Sequence, residues 1–165
     1  MGRRYVLSGE NLTMGTGSVL AAMQSTAAAA ANSILKIKQI KITQNGTTVT
    51  AQSRITLGQR DTAGTLTCTS ATPNPLVLGG PASGIAGGTS PLTAAKSGVA
   101  SSADSGGAYT NTFPCNPNNQ GGYVWQPVEK HQIIVPPSTV FVVRFLTAPG
   151  TLTGWTVAIF FHELF

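Results

Sequence analysis

The chain has few charged residues. Asp, Glu, Lys and Arg make up 9% of its 165 residues, against about a quarter in an average soluble domain. Gly, Ala, Ser and Thr take their place, yet the hydrophobic residues form short patterned runs, which disordered chains lack. We therefore expect a single folded domain over residues 1–165, an ordinary size for one domain.

Long apolar runs and cysteines are also scarce. The sequence contains no run of about 18 apolar residues, so we expect no membrane span. The residues after Arg4 lack the apolar core of a secretory signal, which predicts synthesis in the cytoplasm. Two cysteines, Cys68 and Cys115, are too few for a disulfide framework, and in that compartment we expect reduced thiols.

No catalytic or metal-binding motif is apparent. A glycosidase needs two carboxyl groups about 5 to 10 Å apart, and no two carboxylates lie close in this sequence. Neither the cysteines nor the histidines, His131 and His162, lie in a nucleophile motif, and their spacing contains no close pair of zinc ligands. The glycine-rich stretch GGPASGIAGG lacks the lysine of a phosphate-binding loop. We therefore expect no enzymatic activity, no metal and no cofactor.

Alternating apolar and polar residues predict β-strands along most of the chain. About eight short strands separated by turn residues predict an all-β fold, a β-sandwich or jelly roll. The last run, residues 155–162, is apolar on nearly both faces, which indicates a central strand or one covered by a neighbour. The other candidate strands are residues 4–8, 35–44, 49–57, 65–70, 123–128, 132–135 and 139–146.

The stretch LKIKQIKITQNGTTVTAQSRITL, residues 35–57, carries a strong hairpin signal. Asn45-Gly46 between two patterned runs is typical of a two-residue type I′ turn, because both central residues need positive φ. The run after it alternates cleanly as far as Leu57. The sequence therefore predicts that the two runs pair with each other.

Before Asn45 the apolar phase shifts by one residue. Leu35 and Ile37 occupy odd positions, whereas Ile40 and Ile42 occupy even ones. Strict alternation would expose half of them. One extra residue near Lys38-Gln39 restores the phase, so we predict a β-bulge there.

With this bulge, three lysines share the outer face of the strand. Lys36, Lys38 and Lys41 form a basic stripe, to which Arg3 and Arg4 add if the first strand lies nearby. The simplest interpretation is a solvated face whose charges oppose aggregation. Binding of an acidic protein surface comes next and nucleic acid third, because no aromatic residues interleave with the lysines. We name these five residues as candidate partner-binding residues.

Two segments depart from the strand pattern. Residues 1–32 include the run Ala27 to Ala31, which is either a short helix or part of a loosely ordered N-terminal arm. Residues 71–112 are rich in Gly, Ala, Ser and Thr and are predicted to form one long surface loop. Loops of that length are usually functional or disordered.

The order of these segments resembles that of small virion proteins of tailed bacteriophages, the capsid decoration or cement proteins. The resemblance spans nearly the whole chain and is most specific in VWQPVEKHQIIVPPS and TAPGTLTGW. It implies a β-sandwich or jelly-roll subunit in the virion that sits on the capsid lattice, often as a trimer. There it would bind the major capsid protein and hold neighbouring capsomers together, without catalytic residues, cofactor, membrane or small ligand.

Three other functions remain open. A receptor- or carbohydrate-binding module of a head fibre or tail would use aromatic platforms, for which the candidates are Tyr109, Tyr123, Trp125 and Trp155. A small major capsid protein would form the shell itself with the same fold. A hydrolase would need an acid such as Glu129.

Overall fold

The computed structural model describes residues 2–14, 19–25, 34–45, 52–60, 66–87, 96–104, 108–116, 118, 121–151 and 153–164. Strands dominate this part of the chain, which contains no α-helix and one 3₁₀ turn at Glu129–His131. The predicted all-β class is confirmed. The described residues contain thirteen strands rather than about eight.

Six of the strands form one sheet, here called sheet A. They are β1 (Arg3–Leu12), β3 (Ile34–Gln44), β6 (Asn74–Pro75), β10 (Tyr123–Trp125), β11 (Ile133–Val135) and β13 (Trp155–Leu164). Their order across the sheet is β10-β3-β13-β1-β6, and β11 also pairs with β3. All pairs are antiparallel. The final strand is central, as its apolar composition predicted.

Seven strands form a second sheet, sheet B. They are β2 (Val19–Gln24), β4 (Ile55–Arg60), β5 (Thr67–Ser70), β7 (Ala86–Gly87), β8 (Lys96–Ala103), β9 (Asn111–Cys115) and β12 (Val140–Phe145). Their order is β5-β8-β2-β12-β4-β9, and β7 pairs in parallel with β8.

The main hydrophobic core lies between the two sheets. Alternate residues of both contribute to it, for example Tyr5 and Phe161 from sheet A and Phe145 from sheet B. The rings of Tyr5 and Phe161 are 5.7 Å apart between centroids. The rings of Phe145 of sheet B and Trp155 of sheet A pack edge to face, with their centroids 4.8 Å apart. The architecture is therefore that of two packed sheets.

The outer faces of the two sheets differ. The outer side of sheet B is covered, because Val140 and Val142 form a second buried cluster with Leu66 and Cys68. The outer side of sheet A is open: along β13, inward residues are buried and outward residues are only partly buried. An open sheet face is ordinary in antiparallel sheets, and here it carries the candidate site.

The predicted bulge in β3 is confirmed. Phe160 of β13 pairs with Gln39 and Phe161 pairs with Ile37, so Lys38 is the extra residue. Because of it, Leu35, Ile37, Ile40 and Ile42 are all buried.

The predicted pairing of the runs on either side of Asn45-Gly46 is wrong. β3 pairs with β13, β10 and β11 in sheet A, whereas β4 pairs with β12 and β9 in sheet B. Residues 46–51 lie outside the described residues, so the turn itself stays a prediction. Alternation specifies which face of a strand is buried but not its neighbour, and here long-range pairing places the two runs in different sheets.

Two assignments of irregular segments are also wrong. The N-terminal arm over 1–32 contains β1 and β2, and β2 is buried along its whole length. The surface loop over 71–112 contains β8, which pairs with β2 and β5, and the first two residues of β9. Small residues have weak intrinsic β-propensity, so packing against neighbours determines their conformation. The run Ala27–Ala31 lies outside the described residues.

Candidate functional site

The outer face of sheet A carries a cluster of basic side chains. The pairing register sets Arg4 of β1, His162 of β13 and Lys36 of β3 in one row across the sheet. Lys38 follows at the bulge, and Lys41 lies further along β3. We call this surface the basic face and define it by those five residues and the apolar residues Val6, Val124, Ile134, Ala158 and Phe160.

The cations of the basic face act on one another. The pKa of His162 is lowered, first by its partial burial and then by the positive charges of Lys38, Arg4 and Lys36. A lowered pKa keeps the imidazole neutral at neutral pH. Lys36 Nζ is 3.5 Å from Glu129 Oε1, a carboxylate that is itself largely exposed. Such a pair contributes little to stability.

Apolar side chains lie between and beside these cations. Val124 of β10 pairs with Lys41 and is 59% exposed, and Ile134 of β11 pairs with Lys36 and is 53% exposed. Val6 pairs with Phe160 in the centre of the face, and Lys41 Nζ lies 5.4 Å from the Phe160 ring centroid. The basic face therefore combines positive charge with exposed hydrophobic area, a composition suited to an interface.

The structure brings four of the five predicted partner-binding residues to one face. These are Arg4, Lys36, Lys38 and Lys41. Arg3 pairs with Glu163, and because successive strand residues point to opposite sides of a sheet, it does not belong to this face. Val124 and Ile134 were not among the predicted partner-binding residues, because that prediction rested on charge alone.

Arg3 lines a groove at the end of sheet A, and Arg4 borders the same groove. The groove has a volume of about 340 Å³ and lies between the start of β1 and the segment after β6, with Tyr5, Val77 and Pro81 in its wall. Tyr5 Oη donates to the carbonyls of Pro81 at 3.3 Å and Ala82 at 3.2 Å, which fixes the segment against β1.

A hydrophobic turn projects beside this groove. Leu76, Val77 and Leu78 are all exposed, and Leu78 is fully so. The Gly80 N–H donates to the Val77 carbonyl at 2.8 Å, and Gly79 has φ +73°, a conformation that favours glycine in a tight turn. The sequence contains these three consecutive aliphatic residues directly before Gly-Gly. They were not singled out, because they lie in a segment composed mainly of small residues that was predicted to be a loop.

A buried ionic cluster covers the opposite surface, on sheet B. Arg60 Nη1 is 2.6 Å from Asp104 Oδ1, and Tyr109 Oη donates to Asp104 Oδ2 at 2.5 Å. The Arg144 guanidinium lies 4.1 Å from the Tyr109 ring centroid. Tyr109 packs on Gly58, where a Cβ would come within 2.8 Å of the ring. Burial, followed by the hydrogen bond to Asp104, raises the pKa of Tyr109 to about 12.

The predicted aromatic platforms do not form an exposed surface. Trp155 is buried and its Nε1 donates to the Thr151 carbonyl at 2.7 Å, so it is a core residue. Tyr123 and Trp125 are half-buried against the core, and Tyr109 belongs to the ionic cluster. The burial of Trp155 excludes it as an exposed platform, whereas Tyr109, Tyr123 and Trp125 are intermediate in exposure.

The cysteines and the acidic residues can be placed as well. No disulfide joins Cys68 and Cys115, and burial raises the pKa of the Cys68 thiol to about 11. Glu163 is buried and accepts hydrogen bonds from the Gly84 N–H and the Ser83 hydroxyl. Within the described ranges, no three potential metal ligands lie together, and no helix is long and apolar enough to span a membrane.

Comparison with protein families, with curated proteins and with solved structures found no match to this chain.

Proposed function

We propose that this protein is a non-enzymatic structural protein of a phage virion, which decorates the capsid and stabilises it by bridging neighbouring capsomers. Its partner is the major capsid protein, and its working form is a trimer. The basic face is the adhesive surface.

The strand pairing supports a jelly roll for this subunit. A jelly roll is an eight-stranded antiparallel hairpin wrapped into two sheets, which pairs the first strand with the eighth, the second with the seventh, and so on inward. Here β1 pairs with β13, β2 with β12, β3 with β10 and β11, and β4 with β9. The segment β5–β8 is an insertion between the fourth and fifth of these strands. Viral capsid domains are among the proteins that use this topology.

The observation that carries the proposal is the composition of the basic face. It is a sheet surface on which Val124 and Ile134 are more than half exposed, and each of them pairs with a lysine of β3. Exposed apolar area bordered by polar residues marks interaction sites on soluble proteins. A subunit repeated on a lattice can use individually weak contacts, because multivalency adds them.

The hydrophobic turn supports self-association. Leu78 is exposed to the full extent of its side chain, which is costly in water unless a neighbour covers it. The adjacent groove of about 340 Å³ has room for more than one aliphatic side chain. In a closed trimer, the turn of each copy would enter the groove of the next.

A protein census of purified virions tests this function. Quantitative mass spectrometry of the particle is expected to find the chain in a fixed ratio to the major capsid protein, at a copy number set by the lattice. Purified protein should then rebind to particles produced without it. Absence from the particle, or the few copies typical of a tail, would refute the proposal. Finding the chain as the main shell component would make it the capsid protein itself.

A further inference from the structure

The charge balance of the basic face is strongly one-sided. Arg4, Lys36, Lys38 and Lys41 share it, and the carboxylate beside them is Glu129, at its margin. In the part of the chain that the structure describes, the other exposed carboxylate is Glu10. Any molecule that covers this face must therefore bring negative charge.

A second copy of this chain does not fit the basic face. A two-fold contact would place the same four cations against each other, which costs affinity. Among its described residues, each copy has two exposed acids, Glu10 and Glu129, and Glu129 already lies near Lys36 of its own chain. A second copy therefore has few carboxylates with which to neutralise the four cations.

Nucleic acid does not fit well either. Phosphates would satisfy the lysines but would cover Val124 and Ile134 without an apolar contact. Single-stranded nucleic acids gain affinity by stacking bases on aromatic rings. The Phe160 ring is half-buried and lies under Lys41, so it offers no open platform.

We infer that the basic face binds an acidic polypeptide surface that also carries apolar side chains. Carboxylates of the partner would meet Arg4, Lys36, Lys38 and Lys41, and its apolar groups would cover Val124 and Ile134. This inference rests on the proposed function in taking the basic face as the adhesive surface, and it assigns the partner's chemistry.

Binding to defined polymers tests the inference without a virus particle. The probes are a random copolymer of glutamate and tyrosine, poly-L-glutamate, and double-stranded DNA, each titrated by calorimetry at low salt and at about 0.15 M salt. The copolymer should bind most tightly, by about tenfold over poly-L-glutamate, because it supplies both charge and apolar contact.

Two sets of variants identify the face. Arg4→Glu/Lys41→Glu should weaken binding of both acidic polymers by more than about tenfold. The matched control Arg54→Glu/Lys96→Glu changes the same charge on the sheet B side and should have little effect. Val124→Ser/Ile134→Ser should weaken binding of the copolymer and leave that of poly-L-glutamate unchanged. Circular dichroism checks that each variant is folded.

Three outcomes would overturn the inference. They are binding of DNA as tight as that of the copolymer, an equal loss in the control variant, and no binding of any polymer. Rebinding to virus particles is a separate readout. If the protein binds the polymers but does not rebind to virus particles, the inferred chemistry of the partner stands and the capsid is rejected as that partner. If it rebinds to particles and Arg4→Glu/Lys41→Glu does not weaken that binding, only the basic face is rejected as the contact surface.

Discussion

At the scale of single residues, Asp104 links three side chains of the ionic cluster beside sheet B. It joins Arg60 and Tyr109 at 2.6 and 2.5 Å, and Arg144 Nη1 lies 3.9 Å away. The side chains of Arg60 and Asp104 are 1% and 6% exposed. Removing one member of a buried ion pair leaves the other charge uncompensated.

Asp104→Asn should therefore destabilise the protein strongly. We expect a loss of about 3 kcal/mol in the free energy of unfolding, because the Arg60 charge remains buried without a carboxylate. Urea denaturation followed by tryptophan fluorescence measures it. Glu10→Gln, at an exposed position, is the control and should change stability by less than about 0.5 kcal/mol. Equal stability of both variants would show that the cluster does not stabilise the fold.

His162 gives stability a dependence on pH. Its pKa is lowered in the folded protein, by burial and then by Lys38, Arg4 and Lys36. The ordinary pKa of histidine, which applies in the unfolded chain, is 6.5. As pH falls from about 7 through this value towards the lower pKa of the folded protein, the unfolded chain binds more protons than the folded protein, so the free energy of unfolding decreases.

Replacing His162 should reduce this dependence. Between about pH 7 and pH 5, His162→Gln should lose less stability than the natural protein, as measured by thermal unfolding at several pH values. His131→Gln is the matched control, because His131 is exposed in the 3₁₀ turn. The same pH dependence in all three proteins would contradict this role of His162.

At the scale of elements, the bulge in β3 shows what the sequence could determine. The phase shift between Leu35 and Ile42 was readable because one face of the strand is buried, and a one-residue slip would reverse every side chain. The partner of β3 was not readable, because β13 lies more than a hundred residues away in the chain. For the same reason β8 was not predicted, because its small residues form a strand only through pairing with β2 and β5.

Deletion of single lysines tests the bulge. Without Lys38, the apolar residues of β3 alternate strictly and pair with β13 in a continuous ladder, so the variant should fold with stability within about 1 kcal/mol of the natural protein. Deletion of Lys41 should instead turn Ile42 outward and cost more than about 2 kcal/mol. Chemical denaturation measures both, and equal losses in the two deletions would contradict the bulge assignment.

The hydrophobic turn is predicted to hold copies together. Leu78→Ser should shift the protein towards monomer in sedimentation equilibrium, because it removes the most exposed apolar side chain of the turn. Leu146→Ser, a partly exposed leucine after β12, is the control and should leave the association unchanged. A natural protein that is monomeric at all concentrations would refute this contact.

At the scale of the whole molecule, the two sheets differ in how their outer sides are covered. The outer side of sheet B is buried in the cluster that contains Leu66, Cys68 and Val142 and in the Asp104 cluster, so it contributes stability. Sheet A leaves its outer side open, with charge and apolar area exposed together. The sequence revealed the lysines of this face through local alternation. Arg4 and Ile134 join them only through pairing across β13 and β11, which no local pattern specifies.

Cryo-electron microscopy of the virion tests the central claim most directly, because it shows which surface of the subunit meets the shell. We predict that the two-sheet body lies on the capsid exterior at junctions between capsomers. The basic face should contact the shell, with Lys36 and Lys41 near carboxylates and Val124 and Ile134 covered. A subunit on the shell with its basic face towards solvent, or one located in the tail, would contradict the account.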